Sequence, residues 1–198
     1  KRFPGRIEPM PMDLTNRALL DTFGQAWGNE PAHLLVNAAS IAPEVSLQDD
    51  VFTTAWQKTL DTNVSAPLQM TRALLPGLAK GRGAVVNMTS VHVIGHSGSC
   101  VADSISQGAL VHMTRVLAVE VGRIGVRVNA VASGWRIAQN KASAAQSASR
   151  ADLHLGRTPL AQLARPEDVV GPILFLGSNA ASHITGAVLP VDGGFTAR

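Results

Sequence analysis

The sequence contains no tyrosine and only one cysteine, Cys100. A single thiol excludes an internal disulfide and is typical of a reducing compartment, so a cytoplasmic protein is expected. Aromatic residues make up 4% of the chain and charged residues 16%, against 45% hydrophobic residues. This balance excludes intrinsic disorder and predicts a globular core packed mainly with Ala, Val and Leu.

Long apolar runs and clusters of basic residues are absent as well. No stretch approaches the ~20 apolar residues of a membrane-spanning helix, and no signal-peptide pattern opens the chain. The 17 basic and 14 acidic residues give a formal charge of +3, but the Lys and Arg residues are scattered. We therefore expect no nucleic-acid partner, no membrane partner and no metal site.

Short apolar runs alternate with longer helical patterns along the chain. This alternation predicts a doubly wound α/β fold, a parallel sheet with helices on both faces. The predicted strands are residues 33–36, 84–88, 126–131 and 187–191, and the predicted helices are residues 51–78 with a bend near Pro67, residues 102–122, and a helix that begins at Pro166-Glu167-Asp168. No repeat or linker divides the chain, so residues 1–198 are predicted to form one domain.

Several short motifs follow one another in a characteristic order. They are Leu-Leu-Val-Asn-Ala-Ala at 34–39, Asp-Thr-Asn-Val at 61–64, Val-Val-Asn-Met-Thr-Ser at 85–90, Gly-Val-Arg-Val-Asn-Ala at 125–130, Arg-Pro-Glu-Asp-Val-Val at 165–170 and Val-Asp-Gly-Gly at 191–194. Their order and spacing resemble those of the short-chain dehydrogenase/reductase family. The resemblance implies a Rossmann-like fold, a nicotinamide cofactor and hydride transfer at a carbonyl group.

The resemblance also implies a working set of Asn, Ser, Tyr and Lys. Asn63 and Ser90 fit the first two positions, but Asp103 stands at the Tyr position and Gln107 at the Lys position. A carboxylate accepts hydrogen bonds without donating a proton, and a neutral amide does not lower the pKa of a neighbouring acid. We therefore predict that these four positions are remnants and that no catalytic residue set is intact.

The cofactor half of the family pattern is altered too. Residues 9–15 resemble the family's third strand, whose final Asp touches the adenine ring, and that position is Asp13 here. Asn37 and Ala38 match the turn beside the cofactor. The family's glycine-rich turn would precede residue 9, and the sequence starts at Lys1. We therefore expect a Rossmann-like domain that is missing its first βαβ unit and binds no dinucleotide of its own.

The predicted helix over residues 102–122 is apolar around most of its circumference. Such a helix must be covered on more than one face, by its own core or by another chain. In the resembled family, this helix and the preceding long one pack against another subunit, and the C-terminal segment, here residues 195–198, often reaches a neighbour. The implied role is a non-catalytic subunit of an active homologue that carries NAD or NADP, as in the heteromeric dehydrogenase of benzylsuccinate degradation.

A repurposed enzyme is an open alternative. A buried carboxyl group can become a general acid, and two histidines lie in the loop after the second predicted strand. The residues of this non-redox group would be Ser90, His92, His96 and Asp103.

A third hypothesis is that residues upstream of Lys1 complete a nucleotide site, which would give a dehydrogenase or a ligand sensor.

Residues 138–150 fall where the family carries a substrate-covering lid, but their small polar side chains predict a surface loop. Cys100 is expected to be inert.

Overall fold

The computed structural model describes residues 7–93, 101–134 and 154–197, except for the side chain of His92. Four strands in this part of the chain form one parallel sheet in the order β1-β2-β3-β4. They are β1 (Leu34–Asn37), β2 (Ala84–Ser90), β3 (Arg127–Ser133) and β4 (Val188–Val191). All four predicted strands are confirmed, with ends that differ by one or two residues.

Helices cover both faces of this sheet. They are α1 (Arg17–Trp27), α2 (Phe52–Leu60), α3 (Ala66–Gly81), α4 (Val101–Gly122) and α5 (Val170–Gly177), with 3₁₀ turns at Val91–Val93, Pro166–Val169, Asn179–Ala181 and Phe195–Ala197. On one face, α3 and α4 pack on Val85 and Val128. On the other face, α5 packs on Val86 and Val131. The predicted doubly wound α/β architecture is therefore confirmed.

A π-helical turn, Asp61–Ser65, joins α2 to α3. Pro67 has no N–H, so the carbonyl group four residues before it, that of Asn63, lacks its α-helical donor. The N–H of Ala66 instead bonds to the carbonyl of Asp61, five residues back, which widens the turn. The break in the helix therefore lies just before Pro67, and it carries Asn63 into the interior, where this residue is 1% exposed.

The family resemblance predicts a strand at residues 9–15, and this prediction is wrong. Residues 7–13 belong to no helix or strand, and a turn then leads into α1. The two prolines of this segment have no N–H to donate to a sheet. The Asp13 carboxylate accepts hydrogen bonds from the backbone N–H of Thr15, at 2.9 Å, and from its hydroxyl, at 2.7 Å. This local turn replaces the expected strand end.

Some predictions concern residues outside the described ranges. These are the predictions for the loop at residues 138–150, for His96, for Cys100 and for the side chain of His92. Within the described ranges, none of the helices is both long enough and apolar enough to cross a bilayer. The same ranges contain no group of three or more His, Cys, Asp or Glu residues placed to hold a metal ion.

Candidate functional site

The candidate site lies where β1 and β2 end and α4 begins. In open α/β sheets, ligands bind at the carboxyl ends of the parallel strands, so this is the edge where function is expected. Ser90 ends β2, next to its partner Ser133 in β3. Asp103 and Gln107 lie one turn apart in the first half of α4, and each is 4% exposed. The structure therefore buries the two residues that stand at the family's Tyr and Lys positions.

Both side-chain hydrogens of Gln107 and its amide oxygen form hydrogen bonds within this chain. Its Nε2 donates to Asp103 Oδ1 at 3.0 Å and to the Ser40 hydroxyl at 3.1 Å. Its Oε1 accepts a hydrogen bond from the Thr89 hydroxyl at 2.9 Å. An amide NH₂ group has two hydrogens, and both are used here. Gln107 therefore links β2, the segment after β1 and α4, and has no donor left for a cofactor ribose.

The side-chain amide of Asn63 also forms hydrogen bonds with other residues of this chain. Its Nδ2 donates to the carbonyl of Ile41 at 2.8 Å and to the Ser106 hydroxyl at 2.9 Å, and its Oδ1 accepts the N–H of Ile41 at 2.8 Å. The Ser106 hydroxyl in turn donates to the carbonyl of Asp103 at 2.7 Å. Asn63 thus ties the segment after β1 to the start of α4, which is a structural role.

A second set of hydrogen-bonded polar side chains crosses the interior next to this network. Asn37 donates to Asn87 Oδ1 at 2.8 Å, and Asn87 Nδ2 donates to the Thr114 hydroxyl at 2.9 Å. Asn87 and Thr114 are fully buried, so their polar groups would be costly if unpaired. No motif of the sequence predicted this set of hydrogen bonds, although the Asn in the middle of the apolar run at 84–88 is a visible signal of it.

The other predicted cofactor positions lie outside these networks. Asp13 and Ala38 are exposed. The hydrogen bonds from the side chain and backbone of Thr15 hold the pKa of Asp13 below its usual value. No hydrogen bond between described residues joins Asp13 to Asn37, Asp103 or Gln107. Of the predicted site residues, the structure therefore connects Asn63, Asp103 and Gln107 through α4, and Asn37 lies in the adjacent network.

The repurposed Ser/His/Asp group is only partly within the described residues. Ser90 is half-buried at the end of β2, and Asp103 is buried on α4. His96 and the side chain of His92 lie outside the described residues, so this group remains a hypothesis. Chemically, the described part of the site offers hydroxyl groups, the carboxyl group of Asp103 and the amides of Asn63 and Gln107, a set suited to hydrogen bonding.

A family model described as enoyl-(acyl carrier protein) reductase matches residues 3–196, which is nearly the whole chain. The chain belongs to the short-chain dehydrogenase/reductase family. Galactitol 2-dehydrogenase of Rhizobium johnstonii is 34% identical over 189 residues, an alignment that covers 93% of this chain and 74% of that enzyme. The coarser prediction from the motifs, that of the family, is therefore confirmed.

Solved structures of other short-chain dehydrogenases/reductases have the same fold. An oxidoreductase of this family from Burkholderia thailandensis is 35% identical, with a TM-score of 0.81, and the match covers 96% of this chain and 73% of that one. RhlG of Pseudomonas aeruginosa, solved as an NADP active-site complex, is 27% identical, with a TM-score of 0.84 and coverages of 94% and 76%. The Rossmann-like character of the fold is therefore confirmed.

Proposed function

We propose that this short-chain dehydrogenase/reductase is a non-catalytic subunit that assembles with an active, NAD- or NADP-dependent homologue. The observation that carries the proposal is the closed hydrogen bonding of Gln107. In the family pattern, this position holds a Lys whose charge tunes a Tyr and whose ammonium group holds the cofactor ribose. A neutral amide with both hydrogens bonded to Ser40 and Asp103 performs neither task.

The chemistry at the neighbouring position supports the same proposal. Reduction of a carbonyl group needs a proton donor at the oxygen and stabilisation of the developing negative charge. An ionised carboxyl group at this position would supply neither, because a carboxylate accepts hydrogen bonds and repels an alkoxide. Loss of general acid catalysis alone costs about 10²- to 10⁴-fold in rate. Asn63, Asp103 and Gln107 are instead explained by their structural hydrogen bonds.

An apolar stripe on the outer face of α4 supports the assembly part of the proposal. Ile105, Val116 and Val119 are 49%, 52% and 83% exposed. Their spacing of eleven and three residues places them on one side of the helix. Exposed apolar side chains that share one side of a helix are typical of surfaces that another chain covers. The Phe195 ring, in contrast, is buried in its own chain, so the proposed contact uses α4 rather than this ring.

Turnover assays test the non-catalytic part of the proposal. The wild-type chain and the double variant Asp103→Tyr/Gln107→Lys are assayed with NADH and NADPH against a panel of ketones, beside an active family member as the positive control. We expect hydride transfer by neither protein, since the double change also breaks the hydrogen bonds of Gln107 with Ser40 and Thr89. Circular dichroism establishes that the double variant is folded. Nicotinamide-dependent turnover by the wild-type chain would refute the proposal.

A second candidate is a non-redox enzyme, and the burial of Asp103 is the observation that favours it. Hydrolysis of chromogenic esters by the wild-type chain, abolished in both Ser90→Ala and Asp103→Asn, would support this candidate. A third candidate, a protein that binds nucleotide without turnover, is suggested by the NADP complex of RhlG. Calorimetric titration of the chain with NADP and NAD distinguishes it, because the proposed non-catalytic subunit binds neither.

A further inference from the structure

The C-terminal turn, defined here as residues 192–197, is held by one carboxylate. Asp192 Oδ1 accepts the N–H of Gly194 at 2.9 Å, and Oδ2 accepts the N–H of Thr196 at 2.9 Å and its hydroxyl at 2.6 Å. Gly193 and Gly194 have φ values of +64° and +87°, which only glycine adopts without strain. The conformation of the turn is therefore specified by its own residues.

One side of this turn contacts Gly134, the residue that precedes the segment 135–153. The N–H of Gly134 donates to the carbonyl of Val191, the last residue of β4, at 2.9 Å, so the β3–β4 ladder brings Gly134 next to the start of the turn. A Cβ atom on Gly134 would lie 2.9 Å from Cα of Asp192, closer than real Cβ atoms approach backbone. The backbone of Gly134 therefore packs closely against Asp192 of the C-terminal turn.

The other side of the same turn contacts the residues that follow the segment 135–153. The buried Phe195 ring lies 5.1 Å from the ring of His154, and Cζ of Arg157 lies 4.7 Å from the centre of the Phe195 ring. Aromatic and cation–π contacts at these distances are favourable.

Backbone contacts reinforce this second side. The N–H of Leu160 donates to the carbonyl of Gly193 at 3.1 Å. A Cβ atom on Gly193 would lie 2.6 Å from Cγ2 of Thr158. Residues 154–160 therefore pack against the C-terminal turn, as Gly134 does.

We infer that the C-terminal turn acts as a clamp that holds together Gly134 and residues 154–160, which lie on either side of the segment 135–153. Fixing these two stretches relative to each other costs chain entropy, and their contacts with the turn offset that cost. Because the Asp192 contact of Gly134 and the contacts of residues 154–160 involve the same short turn, a disturbance on one side of the turn is transmitted to the other. This inference does not depend on whether the chain is catalytic.

Hydrogen exchange of the full chain, measured by mass spectrometry, tests the clamp. In Gly134→Ala, the new Cβ displaces Asp192 and its turn, so the amides of Thr158 and Leu160 should exchange at least ~10-fold faster. The matched control is Gly171→Ala, where the same methyl group enters open space. We expect no change at residues 158–160 in the control, and no change across β2 in either variant.

Unchanged exchange of Thr158 and Leu160 in folded Gly134→Ala would overturn the inference, because the two ends would then be held independently. If Gly134→Ala does not fold, the reverse experiment decides. Phe195→Leu, which weakens the contacts with His154 and Arg157, should accelerate exchange of the Gly134 amide as well as that of Leu160. Acceleration confined to Leu160 would contradict the clamp.

Discussion

The amide of Gln107 has three polar partners, the side chains of Ser40, Thr89 and Asp103, and all of them belong to this chain. Each bond satisfies a group in or near the interior, where an unpaired polar atom is costly. Residues at these positions in the resembled family act on substrate and cofactor. In this chain, the same positions serve to connect β2, α4 and the segment after β1.

Replacement of Gln107 by alanine should therefore destabilise the fold. The change removes the hydrogen bonds of the Gln107 amide with the Thr89 hydroxyl, Asp103 Oδ1 and the Ser40 hydroxyl, and each buried hydrogen bond lost costs on the order of 1–3 kcal/mol. We expect the free energy of unfolding, measured by urea denaturation, to fall by about 2–4 kcal/mol. Gln48→Ala is the control, since Gln48 is exposed and a surface change costs less than about 0.5 kcal/mol. Equal effects in the two variants would show that the network is not structural.

At the scale of whole elements, three local features determine where the site residues lie. The π-helical turn before Pro67 buries Asn63. The first two turns of α4 place Asp103 and Gln107 on one face, since residues four apart are neighbours on a helix. The turn at Asp192 fixes the end of β4. The positions of Asn63, Asp103 and Gln107 therefore follow from how these elements begin and end.

The turn at Asp192 makes the free energy of unfolding depend on pH. Burial raises the pKa of Asp192, but hydrogen bonds from Thr196 and Gly194 outweigh it, so the pKa lies below its usual value. A depressed pKa means that the folded state prefers the carboxylate, which contributes stability above the unfolded pKa of about 3.9. That contribution is lost as the pH falls through the lower, folded pKa.

Asp192→Asn should consequently be less stable than the wild type at pH 7. The difference in unfolding free energy should stay constant down to about pH 5 and narrow below about pH 4, where the wild-type carboxylate takes up its proton. Urea denaturation of both proteins at a series of pH values measures this difference. A gap that is the same at pH 7 and pH 2.5 would show that the hydrogen bonds to Asp192 do not depend on its charge.

In the whole molecule, the four strands and the helices after β1 could be predicted from the sequence because hydrophobic runs and breaks are clear, whereas α1 (Arg17–Trp27) was not predicted. The strand at residues 9–15 was wrongly predicted, because the family resemblance outweighed two prolines and a local Asp13 turn. The bonds of Gln107 with Ser40 and Thr89 could not be predicted. Their partners lie 67 and 18 residues away, and no local pattern specifies such contacts.

Native mass spectrometry of the protein purified gently from its own cells tests the proposal that this chain is the non-catalytic partner of an active homologue. We predict a stoichiometric complex with a second short-chain dehydrogenase/reductase that retains the Tyr and Lys. Val119→Lys, on the exposed stripe of α4, should abolish this complex, whereas Leu47→Lys, at an equally apolar exposed site outside α4, should leave it intact. A homo-oligomer or monomer without any homologous companion would contradict the claim.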